Sequence, residues 1–482
     1  MKKRNIYGGH SQELRELYEE AGQASKVVVG AIDYAKGEHV VLLCNGEGDV
    51  LRKPFAVKNT PEGLEYLRQQ IEQACCYRHI NPKHVYFGGE DGGGYTENFI
   101  AALRACGWLV AGINPQDAKQ QRTNLQASTD RLDLFGIASM LVQRRGQYAP
   151  AQVGHYRNLR TLVRHRRASV RLHTQERQRM HTLVDRLFPG FLDEQLSGLT
   201  PFAPPSLKLM ERRFSATQVA RCHAKSLALR LARVGATHAE EKAAKLQTYA
   251  RQVFPPADEY RDTWQISLQQ HVELFRCLEG SLNGLEREIA VWLAQTAGAW
   301  LTTVRGIGVV LAAGVAAEIG DPQLQRPVSN LSSYAGIIPR VSQTGGPSQP
   351  AFTGSVAKRC NRILKDYIVQ SASHLGLHGA EELMQDYHRR DAAGQHADFG
   401  IARRYLRLGM ALMRRGEIYL PRALRKSSAT AEQRAAYYQK LWPYLFDKWA
   451  KYQAHKVAFA PENPLGQWRA MVQELYGLKL SL

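Results

Sequence analysis

Apolar and polar positions follow two rhythms along this chain, and the rhythm changes near residue 150. Between residues 26 and 145, short apolar runs rich in β-branched residues are separated by stretches whose apolar positions recur every three or four residues. The runs 27–33, 39–43, 50–57, 84–89 and 108–113 predict strands. Helices are expected over 61–76, 97–106 and 129–144, where stripes such as Leu64, Leu67 and Ile71 mark core faces. Three early strands with short Gly-containing turns suggest an antiparallel meander, and the strand–helix alternation that follows lays further strands beside it. This is a mixed α/β sheet of RNase H-like layout.

Beyond residue 150 the strand signals vanish. From 156 to 187 a helical pattern carries Arg157, Arg160, Arg164, His165, Arg166, Arg167, Arg171, Arg177 and Arg179 opposite an apolar face of Leu159, Leu162, Val163, Val170 and Leu183. Glu176 is the one acid among these basic positions, so few pairs can form within the helix. Phosphate contact is therefore expected, with Arg164, Arg166, Arg167 and Arg171 as candidates. Residues 206–300 read as helical. There Leu268, Val272, Phe275, Leu278, Leu282, Leu285, Ile289 and Trp292 step by three or four, the seam of a helical hairpin or coiled coil. Packing within one chain and contact between two copies both satisfy that seam.

From Leu301 a third segment begins. Val304-Arg305-Gly306-Ile307-Gly308 separates two helical patterns, a helix-hairpin-helix-like arrangement whose backbone N–H groups could meet a phosphate. A loop over 339–354, rich in Gly, Pro, Ser and Thr, precedes a basic helix with Lys358, Arg359, Arg362 and Lys365, also phosphate-contact candidates. Residues 381–482 are helical and offer no chemistry of their own. The expected organisation is 1–150, an α/β catalytic domain; 151–300, a basic helical and coiled-coil region; 301–420, a mainly helical domain; and 421–482, a helical extension.

Composition narrows the substrate. The 482 residues include 64 Lys and Arg against 44 Asp and Glu, a net charge of +20, which favours a polyanionic partner. Seven scattered cysteines form no CxxC, against a disulfide framework or structural zinc and in keeping with a reducing cytoplasm. No apolar stretch follows the basic N-terminus and none is long enough to span a bilayer, so no membrane role is expected.

Four carboxylates carry the candidate chemistry. Asp33 and Glu90 end apolar strand runs, and Asp130 and Asp133 lie three apart at the start of an apolar-periodic helix, so they share one helix face. Acids converging from two strand ends and one helix turn repel unless cations sit between them. Hard divalent ions such as Mg²⁺ suit carboxylate oxygen, and two of them form a familiar device for attack on a phosphodiester.

In sequence the chain resembles the DEDD-type insertion-sequence transposases, the bridge-RNA-guided serine recombinases that include the Piv invertase. The resemblance rests on Ala31-Ile32-Asp33-Tyr34-Ala35-Lys36, Glu90, Asn114-Pro115 and Thr129-Asp130-Arg131-Leu132-Asp133. It continues through Val304-Arg305-Gly306-Ile307-Gly308, Ala317-Glu318-Ile319-Gly320-Asp321, Ser333-Tyr334-Ala335-Gly336-Ile337-Ile338-Pro339-Arg340, Gln343-Thr344-Gly345-Gly346 and Lys358-Arg359-Cys360-Asn361-Arg362. It implies a RuvC-like domain whose Asp33, Glu90, Asp130 and Asp133 ligate two Mg²⁺ ions. A coiled-coil region then leads to a transposase domain whose serine attacks DNA covalently. The implied partners are donor and target DNA, a noncoding bridge RNA and further copies of the chain, as dimer or tetramer, in the bacterial cytoplasm at the nucleoid. This chain has Thr344 where the family has its serine, with Ser342 two residues upstream and Ser348 beyond, so those hydroxyls are the candidate nucleophiles. Two alternatives are a Holliday-junction-resolvase-like Mg²⁺ nuclease, which needs only the first domain, and a non-catalytic nucleic-acid-binding scaffold.

Overall fold

The computed structural model describes residues 12–90, 94–121, 130–146, 154–212, 214–324, 328–342, 352–356 and 360–482. The chain forms two compact units, Met1–Pro150 and Ala151–Leu482.

The first unit runs α1 (Gln12–Ala21), β1 (Val28–Asp33), β2 (Glu38–Asn45), β3 (Val50–Lys58), α2 (Pro61–Arg78), β4 (Val85–Glu90), α3 (Glu97–Ala105), β5 (Leu109–Ile113), α4 (Pro115–Gln120) and α5 (Asp130–Val142). Its five strands lie in the order β3-β2-β1-β4-β5. The first three pair antiparallel, whereas β1–β4 and β4–β5 are parallel. All five expected strands form, and the sheet is mixed. Side chains alternate across it. Val27, Val29 and Ala31 join a core with Leu14 and Leu17 of α1 and Leu134, Ile137 and Leu141 of α5. Val28 and Ile32 join Leu67 and Ile71 of α2 and Phe99 and Leu103 of α3 on the other face. Both faces are thus covered by helices, as central parallel strands require.

The second unit is almost wholly helical. It begins with α6 (His155–Leu187) and continues through α7 (Glu194–Ser197), α8 (Pro204–Met210), α9 (Ala216–Arg221), α10 (Ala224–Ala232) and α11 (Ala239–Ala250) to α12 (Asp258–Ala294). A 3₁₀ segment, Ala297–Thr303, leads to α13 (Val309–Ile319) and α14 (Val328–Tyr334). A two-stranded hairpin follows, β6 (Pro339–Ser342) against β7 (Phe352–Val356). Seven helices complete the chain: α15 (Arg362–His378), α16 (Glu381–Ala392), α17 (Ala397–Arg415), α18 (Arg422–Arg425), α19 (Ala431–Ala450), α20 (His455–Ala458) and α21 (Pro464–Tyr476). No helix among the described residues is long and apolar enough to cross a membrane.

Helices α6 and α12 run antiparallel. Tyr156 Oη accepts from Ala297 N, Arg166 pairs with Glu286, and Glu176 meets His271, so partners descend along one helix as they rise along the other. At 1.5 Å per residue each helix is roughly 50 Å long. The expected seam packs within the chain at its ends, where Leu268, Val272, Phe275 and Ile289 are buried. Leu278, Leu282 and Leu285 between them are half-buried. Two separate cores flank this stretch. One gathers Met180 through Phe275 with α8–α11. The other joins Tyr156, Leu159 and Val163 to residues from Ile289 through Leu480. Residues 421–482 therefore share their core with 301–420.

Candidate active site

In β1 and β4 the register pairs Ile32 with Gly89, so the next residues, Asp33 and Glu90, end neighbouring parallel strands. Alternation puts Asp33 on the face of Val29 and Ala31, and Glu90 on the face of Tyr86 and Gly88. Helix α5 packs on that same face. A Cβ on Gly88 would lie 2.5 Å from Leu141 Cδ2, so glycine there lets the helix approach β4 directly. Tyr86 Oη, itself 3.0 Å from Tyr18 Oη, donates to the Leu141 carbonyl at 2.9 Å and ties the far end of α5 to the strand. Asp133, half-buried, projects from the first turn of α5. A helix N-terminus stabilises carboxylates there by about 0.3–1 kcal/mol each. Asp130 opens the same helix, and its side chain lies outside the described residues.

The sheet thus sets two acids side by side and covers their face with the helix that carries the other two. Among the described residues no group of three His, Cys, Asp or Glu side chains is close enough to hold a metal ion. The donor chemistry, carboxylate oxygen throughout, fits a hard divalent cation. On the opposite face of the sheet, Tyr34 packs its ring where a Cβ on Gly89 would come within 2.3 Å, and burial raises the Tyr34 pKa. Burial likewise lowers the pKa of His39, whose Nδ1 accepts from Ala35 N. Tyr34 entered the sequence reading only as a neighbour of Asp33 in its block, and His39 only as the start of a strand.

The basic helix turns much of its charge inward. Arg164 grips the fully buried Glu318 through two bonds of 2.8 and 3.0 Å, and Arg160 lies 3.4 Å from the same carboxylate. Arg166 bonds Glu286, and Arg167 pairs with Asp366. The scarcity of acids within α6 is thus met by acids from α12, α13 and α15. Arg171 and Arg362 are exposed, and Lys365 lies 5.5 Å from the Phe399 ring. Lys358 and Arg359 fall outside the described residues.

Glu318 also accepts from Asn361 Nδ2 at 2.8 Å. Burial alone would push the Glu318 carboxyl up, but Arg164, Arg160 and Asn361 together outweigh it and hold the group below the usual carboxylate range. Asn361 caps α15 by accepting from Ile363 N and Leu364 N, and its own N–H donates to the Tyr334 carbonyl at 2.7 Å. Ser342 ends β6, its backbone paired with Phe352. The Ser342 side chain, Thr344 and Ser348 lie outside the described residues.

The Val304–Gly308 turn differs from expectation at Gly306. That N–H, expected to be exposed, donates to Tyr444 Oη at 3.1 Å. Gly306 has φ +90°, and a Cβ there would press on Gly379. Lys448, one turn after Tyr444 on α19, donates to the carbonyls of Thr302, Ile307 and Val304 at 2.6, 2.8 and 3.4 Å. Helix α19, in the 381–482 stretch read from sequence as without chemistry, thus holds this turn. The available signal was a lysine three residues after Leu445 on an apolar face.

Burial pushes the Lys448 ammonium down to about 7. An unfolded lysine stays protonated to near 10.4, so between those values the unfolded chain binds the extra proton and stability rises with pH. Lys448→Met should remove the donor to three carbonyls, of which Val304 keeps its bond from Ile307 N, lower stability by about 2–4 kcal/mol, and remove that rise. Thermal melts of both proteins from pH 6 to 10 check this, and parallel curves would contradict it.

Two family comparisons follow the chain in order. A model described as a transposase, of the DEDD and IS110 type, matches residues 30–189. A second, described as the transposase IS116/IS110/IS902 family, matches residues 298–389. The chain is also similar to a probable family 20 transposase of Pseudomonas aeruginosa, 29% identical over 106 residues. That match spans 22% of this chain and 30% of the relative's length.

Proposed function

Because the chain belongs to the IS116/IS110/IS902 family of transposases, we propose that it cuts and rejoins DNA strands through a two-Mg²⁺ site and a covalent protein–DNA intermediate. In this reading residues 1–150 form a RuvC-like catalytic domain, 151–300 a coiled-coil region, 301–420 the transposase domain proper and 421–482 a helical extension. The single observation that supports it best is the placement of Asp33 and Glu90 side by side on the face covered by α5.

Asp33, Glu90, Asp130 and Asp133 would hold the metal. Mg²⁺ bound there supplies neutralising charge at the phosphate and lowers the pKa of the attacking hydroxyl. The ends of the neighbouring strands β1 and β4 and the first turn of α5 would hold these carboxylates, so little reorganisation would be needed when DNA arrives. The Thr344 hydroxyl attacks phosphorus, an O–P bond to the protein forms, the O–P bond to one strand end breaks, and the departing oxygen takes up the proton. A noncoding RNA chooses the DNA partners, and the protein works as a homo-oligomer in the cytoplasm.

The test is incubation with the element's DNA ends and flanking noncoding RNA, in Mg²⁺ or in chelator. A denaturation-resistant protein–DNA adduct dependent on Mg²⁺ is expected. Cleavage without any adduct would favour a resolvase-like nuclease, and binding without cleavage a scaffold.

Phosphate contact should fall on basic residues that acids of this chain do not occupy. Arg171→Gln and Arg362→Gln are each expected to lower the log–log salt slope of nucleic-acid binding by roughly one unit. Arg166→Gln and Arg167→Gln should act mainly through lost ion pairs, seen as a lower melting temperature. Salt titrations of the four variants separate the two groups.

A further inference from the structure

The β6–β7 hairpin leaves helix α14 after Tyr334 and re-enters helix α15 at Asn361. These two feet are bonded to each other twice. Asn361 N donates to the Tyr334 carbonyl at 2.7 Å, and Asn361 Nδ2 lies 2.9 Å from Tyr334 Oη. The same Nδ2 donates to Glu318 Oε2, and Glu318, fully buried, is held by Arg164 and Arg160 of α6.

We propose that Glu318 is a positioning residue, which fastens both feet of the β6–β7 hairpin to helix α6 through Asn361 and so fixes where the hairpin is presented. Burying a carboxylate with no solvent access is costly unless it is fully partnered. Here the partners are the N-cap of α15 and two arginines 154 and 158 residues away in sequence. The arrangement converts the hairpin from an insertion between two helices into an arm anchored to a third element. The consequence for chemistry rests on the transposase reading, in which this hairpin carries the attacking hydroxyl. The anchoring itself does not.

Two single variants and their combination test it. Glu318→Gln removes the charge. Asn361→Asp keeps the cap of α15, because a carboxylate still accepts from Ile363 N and Leu364 N, but it opposes Glu318 and cannot donate to it. The double variant restores one donor and one acceptor with polarity reversed. Asp386→Asn serves as control, since it disrupts another buried carboxylate, held by Arg389, Arg390 and Arg404, with no link to the hairpin.

Amide hydrogen exchange of the full chain should rise at least tenfold over 335–361 in both single variants, stay unchanged there in Asp386→Asn, and recover in the double variant. Adduct formation should fall and recover in parallel. Unchanged exchange in the single variants, or an equal rise in the control, would overturn the anchor. Faster exchange with adduct formation intact would overturn its positioning role. A wild-type chain that forms no adduct would defeat the transposase reading, while exchange alone still decides the anchor.

Discussion

Replacing Asp33 with Asn is expected to reduce DNA strand cleavage at least about a thousandfold while leaving the fold intact. The carboxylate ends β1 beside Glu90, on the face that α5 covers. In the proposed two-metal reading, losing this ligand would remove several kcal/mol of charge stabilisation, and each 1.36 kcal/mol is tenfold in rate. Without metal, the same substitution relieves repulsion among the acids, so thermal stability in chelator should rise slightly. Asp130→Asn should behave alike. Cleavage assays paired with melts in Mg²⁺ and in chelator give the answer. A variant that recombines DNA at the normal rate would remove Asp33 from the metal site.

The second large effect concerns the nucleophile. Thr344→Ala should abolish both recombination and the covalent adduct, a loss of all detectable product, whereas Thr344→Ser should retain both. Serine keeps the hydroxyl and drops the methyl group that restricts χ1, so its attack should be at least as fast. Peptide mass spectrometry of the trapped adduct identifies the residue directly. A nucleotide on Ser342 or Ser348 would move the nucleophile along the hairpin and leave the Thr344→Ala adduct in place.

The first unit was readable because its signals are local. A run such as Val27-Val28-Val29 declares a buried strand by β-branched content, and the stripe Leu64, Leu67 and Ile71 marks a helix face that does pack into the core. The second unit was readable only as helices. Its arginines seemed destined for phosphate because α6 offers them so little negative charge, yet Glu318 lies 154 residues from Arg164, Glu286 120 from Arg166, and Asp366 199 from Arg167. No window of sequence contains those pairs.

The sequence by itself determined the five strands of the first unit, the long helices and the basic excess, since each depends on side-chain type and spacing within a few residues. By contrast 339–354, read as a loop, holds strand β6 and the start of β7. Tertiary structure alone decided that Asp33 and Glu90 share the α5 face, because strand register and helix coverage set it. It also decided that Lys448 and Tyr444 secure a turn nearly 140 residues earlier, and that Glu318 joins α6 to the hairpin. A buried charge must find its partners wherever packing brings them, and packing is a property of the whole chain.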